Sequence, residues 1–401
     1  MKKYLIAFTC SALMAACTGA PKQESTTNGF IEDNITFARE QLGKEIGVIE
    51  ASGKCLNPVT LKPDSTVFYC DYTDWRSGFF PGSIWYLYEL SGDSTLLPLA
   101  TKYTNAIEDT KNLTWHHDVG FMVNCSFGNG LRLAHIPGYK EVMIQTARSL
   151  STRFRPVPGV IQSWDATRGW QAERGWECPV IIDNMMNLEL LFEATKLSGD
   201  STFYHIAVSH ADRTMQEHFR ADGSCYHVID YSLNDNSVRH RQTAQGYADE
   251  STWSRGQAWA IYGYTMCYRY THDQKYLDMA EKIYNFIFNN PNLPEDLVPY
   301  WDFDAPNIPN EPRDASAAAC TASALYELST YIPGKNYKET ADKIMESLGS
   351  PAYRAEVGTN GNFILMHSVG SIPHGAEIDV PLNYADYYFL EGIMRKRDLE
   401  K

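Results

Sequence analysis

Asp118 and Asp183 are the acids in this sequence best placed to move a proton. Asp118 sits in "WHHDVGFMVNCSFGNGLRLA" and Asp183 in "PVIIDNMMNLELLFEATKLSGD". In each, a carboxylate stands just ahead of an apolar run at helical spacing. Bulky neighbours would desolvate such a carboxyl group and raise its pKa. A raised pKa lets the group hold a proton near neutral pH and still release it. If the two acids lie close, each perturbs the titration of the other. The competing use is helix capping, the commoner job of an aspartate in front of a helix.

Other groups cluster beside them. His116, His117 and His227 could join Asp118 around a metal, but the spacing matches no established ligand pattern, so no metal and no cofactor is expected. A Ser-His-Asp hydrolase would need a Gly-x-Ser-x-Gly elbow after a strand, and none is present. Arg255 lies between Trp253 and Trp259, with Gln245 and Gln257 near in sequence. A guanidinium grips a carboxylate through two parallel hydrogen bonds, and a tryptophan offers a stacking face, so the group suits an anionic sugar. The alternative is an arginine that satisfies backbone carbonyls among packed tryptophans. The chain has 25 Tyr, 17 Phe and 9 Trp, many beside polar residues. That composition suits sugar recognition, and equally a large helical core that uses Tyr as filler.

The elements that must position these groups are helical. "LYELSGDSTLLPLATKYTNAI", "LRLAHIPGYKEVMIQTARSL", "LFEATKLSGDSTFYHIAVSHADRT", "TMCYRYTHDQKYLDMAEKIYNFI" and "LYELSTYIPGKNYKETADKIMESL" each read as helix, short Gly, Asp or Pro turn, helix. "FIEDNITFAREQLGKEI" adds another helix near the N-terminus. Recurring hairpins with long, residue-rich linkers fit a closed ring better than an open solenoid. The expectation is an all-α (α/α)6 barrel over 29–401, with hairpin turns at one end and the long linkers forming a pocket at the other.

The first residues, "MKKYLIAFTCSALMAAC", read as a secretory signal. Met14-Ala15-Ala16-Cys17 resembles a lipobox, which makes 1–17 a lipoprotein signal peptide with lipidation at Cys17. Residues 18–28 read as a flexible tether. The expected location is the periplasm of a Gram-negative bacterium, on a membrane through this lipid anchor. The net charge of −14 argues against nucleic acid as a partner. Of nine cysteines, Cys10 and Cys17 lie in the leader, and no CxxC pattern suggests zinc. Cys55 and Cys70 are the pair an oxidising compartment could join.

In "HHDVGF", "IIDNMMNLELLF", "STWSRGQAWAIYG" and "DVPLNYADYYFLEGI", the sequence resembles glycoside hydrolase family 88, the unsaturated glucuronyl hydrolases. The resemblance runs from about Asp74 to Tyr388. It implies an (α/α)6 barrel that hydrolytically removes a 4,5-unsaturated uronic acid from the non-reducing end of lyase products. The implied substrates are unsaturated disaccharides or oligosaccharides from glycosaminoglycans. By this resemblance Asp183 is the general acid/base and Asp118 the second essential aspartate. His117, His227, Gln245, Trp253, Arg255 and Trp259 match sugar-contacting positions, and Ser368 and Ser371 match a serine-bearing loop near the next sugar. Members that favour sulfated substrates carry a Ser-x-x-Gly-x-x-Lys pattern there, whereas this chain reads Ser368-Val-Gly-Ser371-Ile-Pro-His374. Two competitors share the toroid: a family 105 enzyme acting on unsaturated galacturonyl-rhamnose, distinguished by its leaving sugar, and a non-catalytic sugar-binding lipoprotein, which would not need both aspartates.

Overall fold

The computed structural model describes Met1 and residues 27–401. The expected signal peptide, Cys17 and most of the tether lie outside the described residues. The first helix begins at Thr27, two residues before the expected domain boundary. In chain order the helices are α1 (Thr27–Ala51), α2 (Phe79–Ser91), α3 (Leu96–Asn105), α4 (Val119–Val123), α5 (Asn129–Ala134), α6 (Tyr139–Ser151) and α7 (Gly169–Ala172). There follow α8 (Leu188–Ser198), α9 (Ser201–Glu217), α10 (Ser254–Thr271), α11 (Gln274–Asn289), α12 (Ala315–Tyr331), α13 (Tyr337–Leu348) and α14 (Asn383–Leu399).

Inner helices close a ring. α2 packs on α5, α4 on α8, α8 on α10, α10 on α12, α12 on α14, and α14 returns to α2. One inner member is composite: α4 and α5 are joined by a π-helical turn, Asn124–Gly128. Another, α8, is preceded by a 3-10 turn, Ile182–Asn187. The helices α1, α3, α6, α9, α11 and α13 lie outside. This is the (α/α)6 barrel expected from the hairpin repeat.

Composition decides which ring a helix joins. In α10 every residue from Ser254 to Cys267 is buried, and in α12 every residue from Ala315 to Tyr326. A helix that is small or apolar all round belongs inside. The outer α11 buries Tyr276, Leu277, Met279, Ala280, Ile283 and Ile287, a single stripe at i, i+3, i+4 spacing. Close approach is set locally. A β carbon at Gly263 of α10 would lie 2.5 Å from Met185 Cβ, so glycine lets α10 seat against the 3-10 turn.

The short turns between inner and outer helices gather at one end. Gly92 and Gly199 end α2 and α8 with φ of 66° and 77°, a left-handed geometry that glycine adopts freely. Asp200 and Asp273 cap α9 and α11 by accepting from Thr202 and Lys275 backbone N–H groups. The long outer-to-inner connections carry small antiparallel ribbons that helical periodicity did not reveal. These are β1 (Asn57–Leu61) with β2 (Val67–Cys70), β3 (Phe154–Arg155) with β4 (Val160–Ile161), and β5 (Cys178–Ile181) with β6 (Val228–Tyr231) and β7 (Val238–Gln242). The last pair is β8 (Ser368–Ser371) with β9 (Ala376–Val380). Cys55 and Cys70 are both free thiols, so the candidate disulfide is absent.

Asp386, in the first turn of α14, is 2% exposed. Its carboxylate accepts from the backbone N–H groups of Ile364 at 2.9 Å and Leu365 at 2.8 Å, pinning a loop to an inner helix. Burial pushes this carboxyl up to about 7 despite those donors. The folded chain therefore keeps a proton that the unfolded chain releases near 3.8. The stability this contributes is fully present below that value and is lost as pH rises through about 7. Relative to Asp386→Asn, the wild type should lose stability across this window with a slope approaching about 1.4 kcal/mol per pH unit. Urea unfolding of both proteins at several pH values measures the difference, and parallel pH profiles would refute it.

Candidate active site

A cavity of about 290 Å³ opens at the end where the long connections gather. Asp118, Asp183, Gln245, Arg255 and Ser371 line it, with Trp75, Trp164, Trp170 and His374. Each inner helix reaches this end with its first turn. Asp118 is the residue before α4, Asp183 lies in the 3-10 turn ahead of α8, and Arg255 lies in the first turn of α10.

Neither aspartate caps its helix with its side chain. Asp183 is 9% exposed, and its Oδ2 is buried without a hydrogen-bond partner. The nearest cationic candidate is His227 Nε2, at 3.5 Å. His227 Nδ1 accepts backbone N–H groups from Ala244 at 3.0 Å and Gln245 at 3.2 Å. That assignment leaves the ring proton on Nε2, facing Asp183. A buried carboxylate oxygen with no donor is uncommon and calls for a functional explanation.

Asp118 has the opposite surroundings. His117 Nε2 lies 3.3 Å from its Oδ1 and His116 Nδ1 lies 3.7 Å from its Oδ2. The Asn187 amide donates to Oδ1 at 3.5 Å, and its own oxygen accepts the Phe121 N–H at 2.8 Å, which fixes the amide's orientation. A β carbon at Gly120 would lie 2.6 Å from Asn187 Cα, so glycine admits this contact. Burial raises the Asp118 carboxyl, but His117, His116 and Asn187 together outweigh it and hold the group below the usual carboxylate range. The sequence expectation of a raised Asp118 is therefore corrected. Burial lowers the His117 imidazole against the pull of Asp118, so that ring is neutral near pH 7.

Arg255 follows the structural alternative. It is 1% exposed. Nη1 donates to Asp314 Oδ2 at 2.9 Å and to the Val369 carbonyl, and Nη2 donates to the Gly370 carbonyl at 2.7 Å. Asp314 in turn caps α12 through Ser316 and Ala317 N–H groups. Both terminal nitrogens thus serve the fold, and only Nε lacks a partner.

Several expected sugar contacts lie behind the cavity wall. His117 and His227 are 0% and 3% exposed, Trp253 and Trp259 are 2% and 0%, and Ser368 is 0%. Trp253 packs on His227 with ring centroids 4.6 Å apart and lies under the Arg255 guanidinium, 4.4 Å from its ring centroid. Trp259 packs on Phe121 and Tyr388. Gln245 and Ser371 do line the cavity. Gln245 Nε2 donates to Gly370 O at 3.2 Å, and Ser371 Oγ lies 2.7 Å from His374 Nδ1.

The aromatic wall consists of residues that sequence reasoning passed over. Trp164 and Trp170 meet with centroids 5.1 Å apart, Trp164 stacks on Trp176 at 5.7 Å, and Trp170 contacts His374 at 5.0 Å. The available signal was three tryptophans in the charged stretch "SWDATRGWQAERGWECP". Burial, with His227 and Arg174 near, lowers the His374 imidazole.

Removing Arg255 should act chiefly on stability. Arg255→Met leaves the Asp314 carboxylate buried and unpaired, which costs about 3–5 kcal/mol. Chemical denaturation measures this, and a loss under about 1 kcal/mol, the worth of a surface pair, would show that the guanidinium is not a fold element.

The Glycosyl Hydrolase Family 88 model matches residues 62–395. The chain is 50% identical over 388 residues to an unsaturated glucuronyl hydrolase of Formosa agariphila, covering 96% of each. It is 31% identical over 387 residues to an unsaturated chondroitin disaccharide hydrolase of Streptococcus agalactiae, covering 91% of this chain and 95% of that one. The crystal structure of an unsaturated glucuronyl hydrolase specific for heparin superposes with a TM-score of 0.88 at 43% identity, over 93% of this chain and 98% of that chain. Sequence, fold and a cavity holding two carboxylates among tryptophans agree, and the chain belongs to glycoside hydrolase family 88.

Proposed function

We propose that this protein removes the 4,5-unsaturated uronic acid from the non-reducing end of glycosaminoglycan oligosaccharides released by lyases. The observation that carries the reading is the pair Asp118 and Asp183 on one tryptophan-walled cavity, in a chain of this family. The relatives named for unsaturated glucuronyl, chondroitin and heparin substrates support the glycosaminoglycan class over pectin fragments.

The substrate has a C4=C5 bond conjugated to its carboxylate and joined to the ring oxygen as a vinyl ether. Asp183 gives a proton to C4. Positive charge develops at C5 and the ring oxygen. A water adds its oxygen to C5 and returns a proton to Asp183, so the acid is recharged. The resulting hemiketal opens by breaking its bond between C5 and the ring oxygen, giving a C5 ketone. The hemiacetal left at C1 then collapses to an aldehyde and expels the next sugar. The sum is addition of one water. Asp183 is suited to this because it lines the cavity and no protein hydrogen bond holds its buried Oδ2. Asp118, held ionised by its histidine and amide partners, stabilises the charge at C5. Trp75, Trp164 and Trp170, which line the cavity, supply ring faces.

Loss of the absorbance of the conjugated alkene reports turnover on a panel of unsaturated disaccharides from chondroitin, hyaluronan, heparin and pectin. Asp183→Asn should lower kcat by about 10²–10⁴ while leaving the unfolding midpoint close to wild type, since Oδ2 makes no hydrogen bond to lose. Unchanged turnover by this variant would remove Asp183 from its role. Turnover of galacturonyl-rhamnose alone would transfer the enzyme to pectin.

The envelope location is part of the same proposal and is supported by Met14-Ala15-Ala16-Cys17. A lipid on Cys17 holds the enzyme at a membrane outside the cytoplasm, where lyase products arrive. Cys17→Ala should move the protein from the membrane fraction to the soluble fraction, and identical fractionation would exclude the anchor.

A further inference from the structure

The ribbon β8–β9 forms one wall of the cavity through Ser371, His374 and Ala376. A two-stranded ribbon is marginal by itself, and this one carries backbone strain. His367, Glu377 and Asp379 have φ of 61°, 56° and 56°, where a residue with a β carbon costs on the order of 1–3 kcal/mol. Surrounding groups must hold it.

They do so from two sides. From the barrel interior, Arg255 Nη2 and Gln245 Nε2 both donate to Gly370 O. From the other side, Glu377 crosses the ribbon to Arg76. A β carbon at Gly370 would lie 2.3 Å from Glu377 Oε2, so the side chain runs directly over that glycine. Arg76 Nη1 pairs with Glu377 Oε1. Its Nε and Nη2 fork onto Asp74 Oδ1 and Oδ2 at 2.9 Å and 2.7 Å, and its guanidinium carbon lies 5.6 Å from the Phe68 ring centroid. The Arg76 and Glu377 side chains are only 12% and 20% exposed, so water screens the pair less than a surface pair. Arg76 directly follows Trp75, another wall residue.

We propose that the Arg76–Glu377 ion pair is a clasp that fixes the β8–β9 wall against the Trp75 side of the cavity, making both residues positioning residues for the leaving sugar. This rests on the reading of the cavity as the site of disaccharide hydrolysis. Neither side chain lines the cavity, so the pair acts through Ser371 and His374. Losing it frees the wall and weakens binding, while the carboxyl group that moves the proton stays in place.

The test compares wild type with Glu377→Ala, Glu377→Gln, Arg76→Met and the Arg76→Met/Glu377→Ala double variant. Hydrogen exchange of residues 368–380 and steady-state kinetics on the preferred unsaturated disaccharide are the readouts. Glu377 is a partly exposed ribbon residue, so its variants fold even if Arg76→Met does not. In Glu377→Ala, exchange in the ribbon should quicken about tenfold with the rest of the chain unchanged. KM should rise about tenfold with kcat within about threefold, the pattern of lost binding rather than lost chemistry. Glu377→Gln, which keeps an acceptor for Arg76, should recover part of both effects. The double variant should be no worse than Arg76→Met, as for residues that act as one unit. Unchanged ribbon exchange in Glu377→Ala, or faster exchange with an unchanged KM, would overturn the clasp. A wild-type enzyme inert on every disaccharide would instead sink the hydrolase reading, while the exchange result would still decide whether the pair holds the ribbon.

Discussion

Ring closure is the constraint from which the rest follows. Inner helices can bury themselves all round only by packing on two inner neighbours each, and the α2 to α14 contact completes the circuit. Because the turns into the outer helices lie at one end, the starts of the inner helices converge at the other. Asp118, Asp183 and Arg255 belong to different inner members of the ring yet line one cavity. No local interaction could gather them. The cavity is where the axis of a closed ring meets the solvent.

The same convergence accounts for an anionic substrate on an acidic protein. The chain carries a net charge of −14, and the Arg255 charge in the site is met by Asp314. What favours an anion near the site is the helix starts, together with Arg153, which is buried near Asp118 and donates only to backbone carbonyls. A helix start carries roughly half a positive charge, effective within its first turn. Helix starts gathered at one cavity favour a carboxylate there. The long-range field of the protein opposes the substrate, and the local field of the cavity favours it.

The ring was legible in the sequence because hairpins leave a pattern: an apolar run, a Gly or Asp turn, a second run. Asp118 and Asp183 were legible as acids at helix starts. Their environments were not. The donors that lower Asp118 include Asn187, 69 residues away, and the fixed tautomer of His227 depends on backbone groups 17 and 18 residues away. Arg255 was read equally as a ligand for a sugar carboxylate and as a packing group. Its partners Asp314 and Gly370, 59 and 115 residues distant, decide for packing at both terminal nitrogens. Trp164 and Trp170 were missed because they stand on a connection with no periodicity, where composition is the only signal.

Two carboxylates in one cavity do different work when their environments differ. Asp118 is surrounded by groups that favour its anion and hold it low, so it is a poor reservoir for a proton near neutral pH. Asp183 has an oxygen with no hydrogen-bond donor of its own, with the His227 imidazole 3.5 Å away. In the proposed reaction the proton must go to carbon, and a donor already committed to strong hydrogen bonds would have to break them first. An uncommitted oxygen avoids that cost. The committed carboxylate then serves where a fixed negative charge helps, beside the positive charge that develops at C5 and the ring oxygen. Preorganised charge of this kind costs no rearrangement at the moment of reaction. The division of labour is thus set by hydrogen-bond partners: His116, His117 and Asn187 surround one acid, and no protein donor holds Oδ2 of the other.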